Sequence, residues 1–382
     1  MGISGGNEST THYLSLGYEK NEGYVVNSGW EKITSRFKLD TKINDSFKIG
    51  GNFGYSHTTQ DYLDGYTGGN TYSSPFYWVR AVAPIYPVRA YDFAGNPILN
   101  SLGQHIYDDG TGADGLSPIR PFGSLQHPYA TAINDYKKTV VDNLFVSSYL
   151  DYKIADGLTF TYTLSGELTN SYDWSMDTQL YGDAVGAGGR VTNQTNRQFS
   201  FTQQQLLKYN KKFGKHSLDI LAGHETLDRR SDYVSASRSK MLFDSPYVDH
   251  GSILQSNAGG GEDYALEGFL SRVAYDYDSR FYVNVSARRD GSSRFHPDVR
   301  WGNFYGAGVA WRISQESFLE NSTWLNELKL KASFGQQGND AIGYNIPYLT
   351  PNSIVLSTDT SLPISFVAGS YLGNKNIKWE TS

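Results

Sequence analysis

Strict alternation of apolar and polar residues is the main pattern along this chain. From Leu158 to Leu168 nearly every even-numbered residue is apolar, and most of the residues between them are threonine or serine. Successive side chains of a β-strand point to opposite faces, so this segment is predicted to form a strand with one apolar and one polar face. The same pattern predicts about eleven strands, near residues 14–18, 33–39, 47–55, 144–152, 158–168, 197–209, 218–224, 269–277, 281–288, 305–313 and 328–334.

The lengths of these strands and of their connections indicate a membrane protein. Many of the segments approach the roughly 9 to 11 residues that a tilted strand needs to cross a bilayer. Short turns at 44–46, 155–157, 213–215 and 278–280 alternate with long loops. Transmembrane barrels have this arrangement, with short periplasmic turns and long extracellular loops. The predicted long loops cover residues 20–30, 59–139, 171–196, 229–264 and 291–302.

The predicted fold class is therefore all-β, an antiparallel transmembrane β-barrel. A soluble β-sandwich stays open as an alternative, because its strands also alternate, although its loops lie at both ends. Tyrosines close to predicted strand ends favour the membrane, where aromatic girdles lie at headgroup level, but tyrosine is also a good strand former. These tyrosines are Tyr18, Tyr55, Tyr152, Tyr209 and Tyr277.

The composition narrows the function classes. The 382 residues include 33 Lys and Arg against 39 Asp and Glu, a formal net charge of −6, with no basic run for a nucleic-acid backbone. The absence of cysteine excludes disulfides, thiolate chemistry and Cys-ligated zinc. The mean hydropathy of −0.48 does not argue against a barrel, because alternation never raises a hydropathy average.

The strand count leads us to expect part of a larger barrel. A barrel in lipid must close, because unpaired backbone groups at an open edge are costly there. Single-chain bacterial barrels also have an even number of strands. About eleven strands, no signal peptide and no aromatic terminal strand are together the pattern expected of an incomplete barrel.

Several segments occur in an order that resembles a known family. They are residues 4–18, 22–23, 36–40, 288–295, 300–304, 310–313, 328–335, 338–339 and 378–381. Together they resemble the SusC/RagA family of TonB-dependent outer-membrane transporters from Bacteroidetes-type bacteria. The most recognisable motif comprises Arg289, Asp290, Gly291, Ser292, Ser293, Arg294, Phe295, Trp301 and Gly302.

The resemblance implies that residues 1–382 are part of a receptor barrel of roughly 22 strands, without the plug, the N-terminal domain and the last strands. It implies active import across the outer membrane, with no covalent chemistry and so no enzyme. The implied cargo is an oligosaccharide or a peptide. The implied partners are a SusD-like surface lipoprotein that acts as a lid, the TonB-ExbB-ExbD system acting through the plug, and the lipid bilayer. A passive porin-like channel and a soluble secreted carbohydrate-binding protein are the alternatives.

The long loop at 59–139 carries the predicted binding surface. Loops of this length are usually functional or disordered, and aromatic rings stack on sugars or fill pockets of a lid protein. The alternative is that the same rings pack the loop onto itself. The candidate residues are Tyr72, Phe76, Tyr77 and Trp78.

An acidic, glycine-rich stretch at 108–115 is a weak candidate for metal binding. Asp108, Asp109 and Asp114 have the carboxylate chemistry that suits calcium, but the stretch lacks the EF-hand spacing. The alternative is a solvated turn-rich loop, and no other cofactor is predicted. The segment that starts at His224 has Asp228 where a zinc helix needs its second histidine. The glycine runs 186–189 and 259–261 are predicted to be mobile loop.

Overall fold

The computed structural model describes residues 1–63, 85–100, 103–110, 119–120, 127–319, 323–342, 352–356, 363–367 and 373–382. Twelve strands form one antiparallel sheet in chain order, so each pairs with its sequence neighbours. They are β1 (Gly2–Gly6), β2 (Thr10–Glu22), β3 (Gly29–Lys42), β4 (Phe47–Asp61), β5 (Tyr136–Ala155), β6 (Leu158–Asp177), β7 (Arg190–Phe213), β8 (His216–Met241), β9 (Gly251–Tyr277), β10 (Phe281–Ser292), β11 (Trp301–Arg312) and β12 (Lys329–Gly335).

Short elements accompany this sheet. A seven-residue helix, α1 (Pro128–Asn134), precedes β5. Strand β13 (Gly338–Asn339) pairs with β16 (Glu380–Thr381), and β14 (Asn352–Leu356) pairs with β15 (Pro363–Val367). Within the described part of the chain, no helix has both the length and the apolar character needed to span a membrane.

The predicted antiparallel all-β architecture is confirmed. Each of the eleven predicted strands lies within or largely overlaps one of the strands β2 to β12, and the four predicted short turns connect them. Strand β1 was not predicted, because its five residues, Gly2–Gly6, include three glycines and show no alternation.

The predicted long loops are longer than the structure shows, and two of them are mostly strand. Most of 171–196 and 229–264 is strand, because β7, β8 and β9 reach 24, 26 and 27 residues. At the long-loop end these strands are mostly polar on both faces, so hydrophobic alternation does not reveal them although the backbone pairing continues. The run 259–261, predicted as mobile loop, lies inside β9, where Gly260 pairs with Tyr233 of β8. The loops at 20–30 and 291–302 are also shorter, at 23–28 and 293–300.

The sheet is a single layer with two chemically different faces. Register places Val285 beside Val273 and Ala307 on what we call the outer face, and Asn284 beside Ala274 and Gly308 on the inner face. Outer-face side chains are strongly exposed, for example Val285 at 50% and Leu330 at 62%. Among the described residues the other two sheets have two strands each, and the outer-face side chains stay exposed, which contradicts the β-sandwich alternative.

Aromatic rings border the outer face at the short-turn end of the strands. Phe47 stacks on Tyr152 with ring centroids 4.5 Å apart, and Phe281 stacks on Trp311 at 6.1 Å. From Phe47 to Tyr55 the outer face of β4 advances eight residues, about 27 Å along the strand and roughly 20 Å vertically at the tilt of a barrel strand. That height is close to the apolar band of a membrane barrel, roughly 25 Å.

The small buried core lies at the opposite, long-loop end. Met176, Val191 and Met241 are almost fully buried where β6, β7 and β8 approach their loops, and Tyr136 packs against them. Burial is therefore concentrated where loops fold over the strand ends. The middle of the sheet leaves both faces accessible.

Candidate functional site

An ionic network crosses the inner face from β7 to β10. Arg288 of β10 donates to Glu225 of β8, and its Nη2 also donates to Asp290 Oδ1 at 2.8 Å. Gln204 of β7 completes the network by donating to Glu225 Oε2 at 3.2 Å. Strand β9 lies between β8 and β10 and presents Gly268 at this level. A Cβ on Gly268 would lie 2.5 Å from Asp290 Oδ1 and 2.9 Å from Arg288 Nη2, so a side chain there would displace the ends of both groups.

A second network of the same design lies on the same inner face, nearer the N-terminal strands of the sheet. Tyr149 of β5 donates to Asp40 of β3 across Gly50 of β4. A Cβ on Gly50 would lie 2.3 Å from Tyr149 Cε1. Lys38 is 3.1 Å from the same carboxylate and Lys48 is 3.9 Å away, so the charge of Asp40 is balanced. Both networks connect strands that share no backbone hydrogen bonds.

A groove of about 430 Å³ opens on the sheet at its short-turn end. Its polar lining includes the ion pair between Arg272 Nη2 and Asp219 Oδ1, at 2.7 Å. Lys331 and Asn284 add a charge and an amide to the lining. The groove and the two networks give the inner face alternating donors, acceptors and balanced charges. Such a wall suits contact with water and with polar solutes.

The motif residues after β10 form a buried cluster. Ser292 is fully buried and donates to Asp340 Oδ2 at 2.7 Å, and Tyr264 donates to the same oxygen at 2.8 Å. Arg294 Nη1 donates to the backbone carbonyl of Asp340 at 3.0 Å. Ser293 pairs with Ala265 through both its amide and its hydroxyl group. The cluster therefore fixes the loop 293–300 onto β9 and onto the segment after β12.

Aromatic packing completes this cluster. Phe295 is fully buried, and its ring lies 5.6 Å from that of Trp379. Trp379 Nε1 donates to the carbonyl of Arg300 at 2.7 Å, and its ring meets the edge of Phe304. The absence of a side chain at Gly302 leaves space for the Trp379 ring, because a Cβ there would lie 2.9 Å from Trp379 Cδ1.

The residues of the predicted family motif therefore lie in three different places: the buried cluster, the inner-face network and the outer face. Ser292, Ser293, Arg294, Phe295 and Gly302 belong to the buried cluster, while Asp290 belongs to the inner-face network. Arg289 lies on the outer face, where its guanidinium carbon is 5.1 Å from the ring of Trp301, and a Cβ on Gly291 would lie 3.0 Å from that ring. In all three places the motif residues make contacts that stabilise the sheet and its loops.

Several partners of the motif were not identified from the sequence as site residues. Glu225, Tyr264 and Asp340 lie 28 to 65 positions away from Asp290, Ser292 or Arg294 in sequence, and only the strand register brings them close. Trp379 could have been identified from the sequence, because it belongs to segment 378–381, which resembles the family. Its contact with Phe295 and Gly302 could not be read from that segment.

The described part of the long loop packs beside the end of β6. The guanidinium carbon of Arg89 lies 3.7 Å above the ring of Tyr107, and Tyr181 meets the edge of the same ring at 5.2 Å. The backbone amide of Tyr107 donates to the Tyr181 hydroxyl at 3.1 Å. The candidate residues Tyr72, Phe76, Tyr77 and Trp78 lie outside the described residues, so their binding role stays a prediction.

The candidate calcium residues are separated by their surroundings. Asp108 is fully buried, with Arg120 Nε 3.8 Å from its Oδ2, and accepts from the amide of Gly110 at 3.0 Å. Asp109 is half-buried, and Asp114 lies outside the described residues. In the described ranges no group of three or more His, Asp or Glu side chains is arranged to hold a metal ion. Calcium at this stretch stays a prediction.

His127 caps helix α1 through its side chain. Its Nδ1 accepts from the amides of Tyr129 and Ala130 at 3.2 and 3.4 Å. Burial, together with the charges of Arg120 and Arg89, lowers the pKa of His127 to about 4. The imidazole is therefore neutral near pH 7, as an accepting nitrogen requires.

Along its whole length the chain is similar to curated TonB-dependent receptors. No family model matches it. The chain is 30% identical over 396 residues to TonB-dependent receptor P3 of Formosa agariphila, covering 100% of this chain and 36% of that relative. It is 24% identical over 410 residues to TonB-dependent receptor SusC of Bacteroides thetaiotaomicron, covering 100% of this chain and 38% of SusC.

Solved structures show the same fold. The RagAB peptide importer in its closed-closed state superposes with a TM-score of 0.77 at 23% identity, covering 100% of this chain and 40% of that chain. This likeness confirms the predicted partial membrane barrel as the fold of the chain. The chain spans little more than a third of the length of the two curated relatives.

Proposed function

We propose that this chain forms part of the barrel wall of a SusC/RagA-type TonB-dependent receptor of the outer membrane, an importer of oligomeric nutrients. One observation carries the proposal: the single-layered sheet exposes apolar side chains on its outer face, from Ile3 in β1 to Leu330 in β12. In water such a face would be unfavourable, whereas acyl chains solvate it.

The inner face supports the transport part of the proposal. Its carboxylates are paired in the networks around Asp40 and Glu225, so the wall is polar without a large uncompensated charge. A wide polar lumen is what a hydrophilic oligomer needs for passage. We propose oligosaccharides as the cargo and peptides as the next candidate, the RagAB structures being those of a peptide importer. The proposed step is binding and translocation, with no covalent chemistry.

Energy coupling separates this proposal from a passive porin. The test is uptake of a fluorescent oligosaccharide series and of a peptide series by cells that express the whole protein, with and without a protonophore. We expect accumulation of one series, and its loss when the protonophore collapses the proton gradient that energises TonB-ExbB-ExbD. Uptake that equilibrates and ignores the protonophore would identify a porin-like channel.

A SusD-like surface lipoprotein is the proposed lid. It would meet the long-loop end, where the exposed apolar Leu242 follows β8, whereas Ile43 is exposed at the short-turn end. A photo-reactive residue at position 242 should cross-link to a surface lipoprotein in intact cells. The same residue at position 43 is the matched control and should give no such product. Cross-linking to the lipoprotein at both positions, or only at 43, would contradict the assigned orientation.

A further inference from the structure

The apolar band of the outer face ends in a row of polar side chains. On β10 the outer-face residues run from Phe281 through Val285 to Ala287, and the next outer position is Arg289. At the level of Arg289 the outer position on β8 is His224, while on β9 it is Phe269, and the next outer position of β9 is Glu267. Arg289 is eight residues from Phe281, at the short-turn end of the strand, which is about 27 Å along the strand and roughly 20 Å vertically. At that height the apolar band should end and the lipid headgroups begin.

Aromatic rings join this row into a continuous surface. The His224 ring lies 4.7 Å from the ring of Phe269, and Phe269 lies 6.1 Å from Trp301. The guanidinium of Arg289 lies over Trp301. Tryptophan is enriched at the membrane interface, and an arginine stacked on it keeps its donors directed to the surrounding polar layer.

The charges of the row are engaged except at Arg289. His224 Nε2 lies 3.0 Å from Glu267 Oε1, and His224 Nδ1 lies 2.8 Å from Gln205 Oε1. Arg288 is held on the inner face by Glu225 and Asp290. For Arg289, no carboxylate lies within ion-pair distance in the parts of the chain that the structure describes, and its side chain is exposed. It is therefore a cation that faces the headgroup layer.

We propose that Arg289, stacked on Trp301, binds the phosphate group of an outer-leaflet lipid headgroup. A guanidinium presents paired N–H donors that match phosphate oxygens, and this interaction is strong where water is partly excluded. Gln205 of β7 lies beside His224 and adds an amide to the row for the sugar or glycerol part of the same headgroup. The inference rests on the membrane orientation in the proposed function and adds a lipid site to it.

Native mass spectrometry of the whole protein in detergent micelles tests this site. The probes are bis-phosphorylated lipid A, the same lipid A with both phosphates removed, and inorganic phosphate. We expect retention of the phosphorylated lipid only, and roughly tenfold weaker retention by Arg289→Gln. Arg289→Lys, which keeps the charge but loses the planar fork, should fall between the two. The matched control is Arg230→Gln, since Arg230 lies on the same face but is held by Asp263 at 2.7 and 3.1 Å.

Each contrary result overturns the lipid site. Equal retention of lipid A with and without phosphate, or equal retention by wild type and Arg289→Gln, would show that the phosphate is not recognised there. Binding of inorganic phosphate at the same concentrations would show an ion site instead. Self-association of the wild type that is lost in Arg289→Gln, with unchanged lipid retention, would assign the surface to a second copy. Uptake of cargo by the Arg289→Gln variant is measured alongside, so a failure of the lipid site is distinguishable from a failure of the import proposal.

Discussion

Arg288 and Glu225 belong to strands that are not neighbours, yet their side chains are directly hydrogen bonded on the inner face. The contact exists because the strand between them presents Gly268, which has no side chain to separate the two groups. Tyr149 and Asp40 repeat the relationship across Gly50. Each glycine thus permits a side-chain link over the backbone of the intervening strand, in addition to the ladder of main-chain hydrogen bonds.

The substitution Gly268→Ala tests the first link. The new methyl group would lie too close to Asp290 and Arg288, so we expect the free energy of unfolding to fall by about 1–3 kcal/mol. Gly54→Ala is the matched control, because Gly54 is also on an inner-face strand position and has no atom within 4 Å of an added Cβ. Urea unfolding of the two variants in lipid vesicles measures the difference. Equal stability would contradict the steric role of Gly268.

Tryptophan 379 provides a test of the buried cluster behind the family motif. Trp379→Ala removes the partly buried ring that packs on Phe295 and fills the space over Gly302, so we expect a loss of about 1–3 kcal/mol in the local stability of loop 293–300. Hydrogen exchange of the amides of 293–300 measures it. Trp324→Ala, at a side chain that is 80% exposed, is the control and should leave these amides unchanged. Unaltered protection in Trp379→Ala would exclude a packing role for this ring.

The pH dependence of helix α1 follows from His127. Its folded pKa of about 4 lies below the ordinary 6.5, so the unfolded form binds the proton more tightly. Docking of the helix should therefore be at full strength above pH 6.5 and weaken as pH falls toward 4, by about 3 kcal/mol in total.

A spin label at the partly exposed Tyr129 position reports this change as increased mobility between pH 6.5 and 4. In the background His127→Asn, which keeps a capping acceptor that does not titrate, the mobility should stay constant over the same range. A label that loosens equally in both backgrounds would assign the effect to another group.

The two faces of β10 should differ sharply in their tolerance of charge. Val285→Arg places a cation on the lipid-facing side and should destabilise the protein by about 2–4 kcal/mol if the position is near mid-bilayer. Asn284→Arg, one residue away on the inner face, should cost much less. Unfolding in vesicles compares the two variants, and equal losses would contradict the assignment of faces.

The sequence predicted much of this architecture because alternation is a direct consequence of strand geometry. It located the strands that contain Leu158, Val285 and Leu330, and it placed the short turns between them. It underestimated β8 and β9, because residues such as Tyr233 and Gly260 pair above the apolar band, where neither face needs to be hydrophobic. The alternation of apolar and polar residues is expected only where one face of a strand contacts lipid, so it does not mark the parts of β8 and β9 beyond the apolar band.

The site was less predictable than the strands. The motif around Arg289 was found from its resemblance to a family, but its contacts depend on the register of strands distant in sequence. The link from Arg288 to Glu225 needs the exact alignment of three strands, and a one-residue slip would move either side chain to the other face. Residues of the long loop, Tyr72 and Trp78 among them, stay predictions.

The orientation of the sheet is the central claim, and the accessibility of spin labels on β10 tests it most directly. The chain contains no cysteine, so single cysteines introduced at positions 283, 284, 285 and 286 are unique label sites within it. With the whole protein in vesicles, labels at 283 and 285 should collide mainly with oxygen, which concentrates in lipid, and labels at 284 and 286 mainly with a water-soluble nickel chelate. An accessibility profile without this two-residue alternation, or with its phase reversed, would contradict the account.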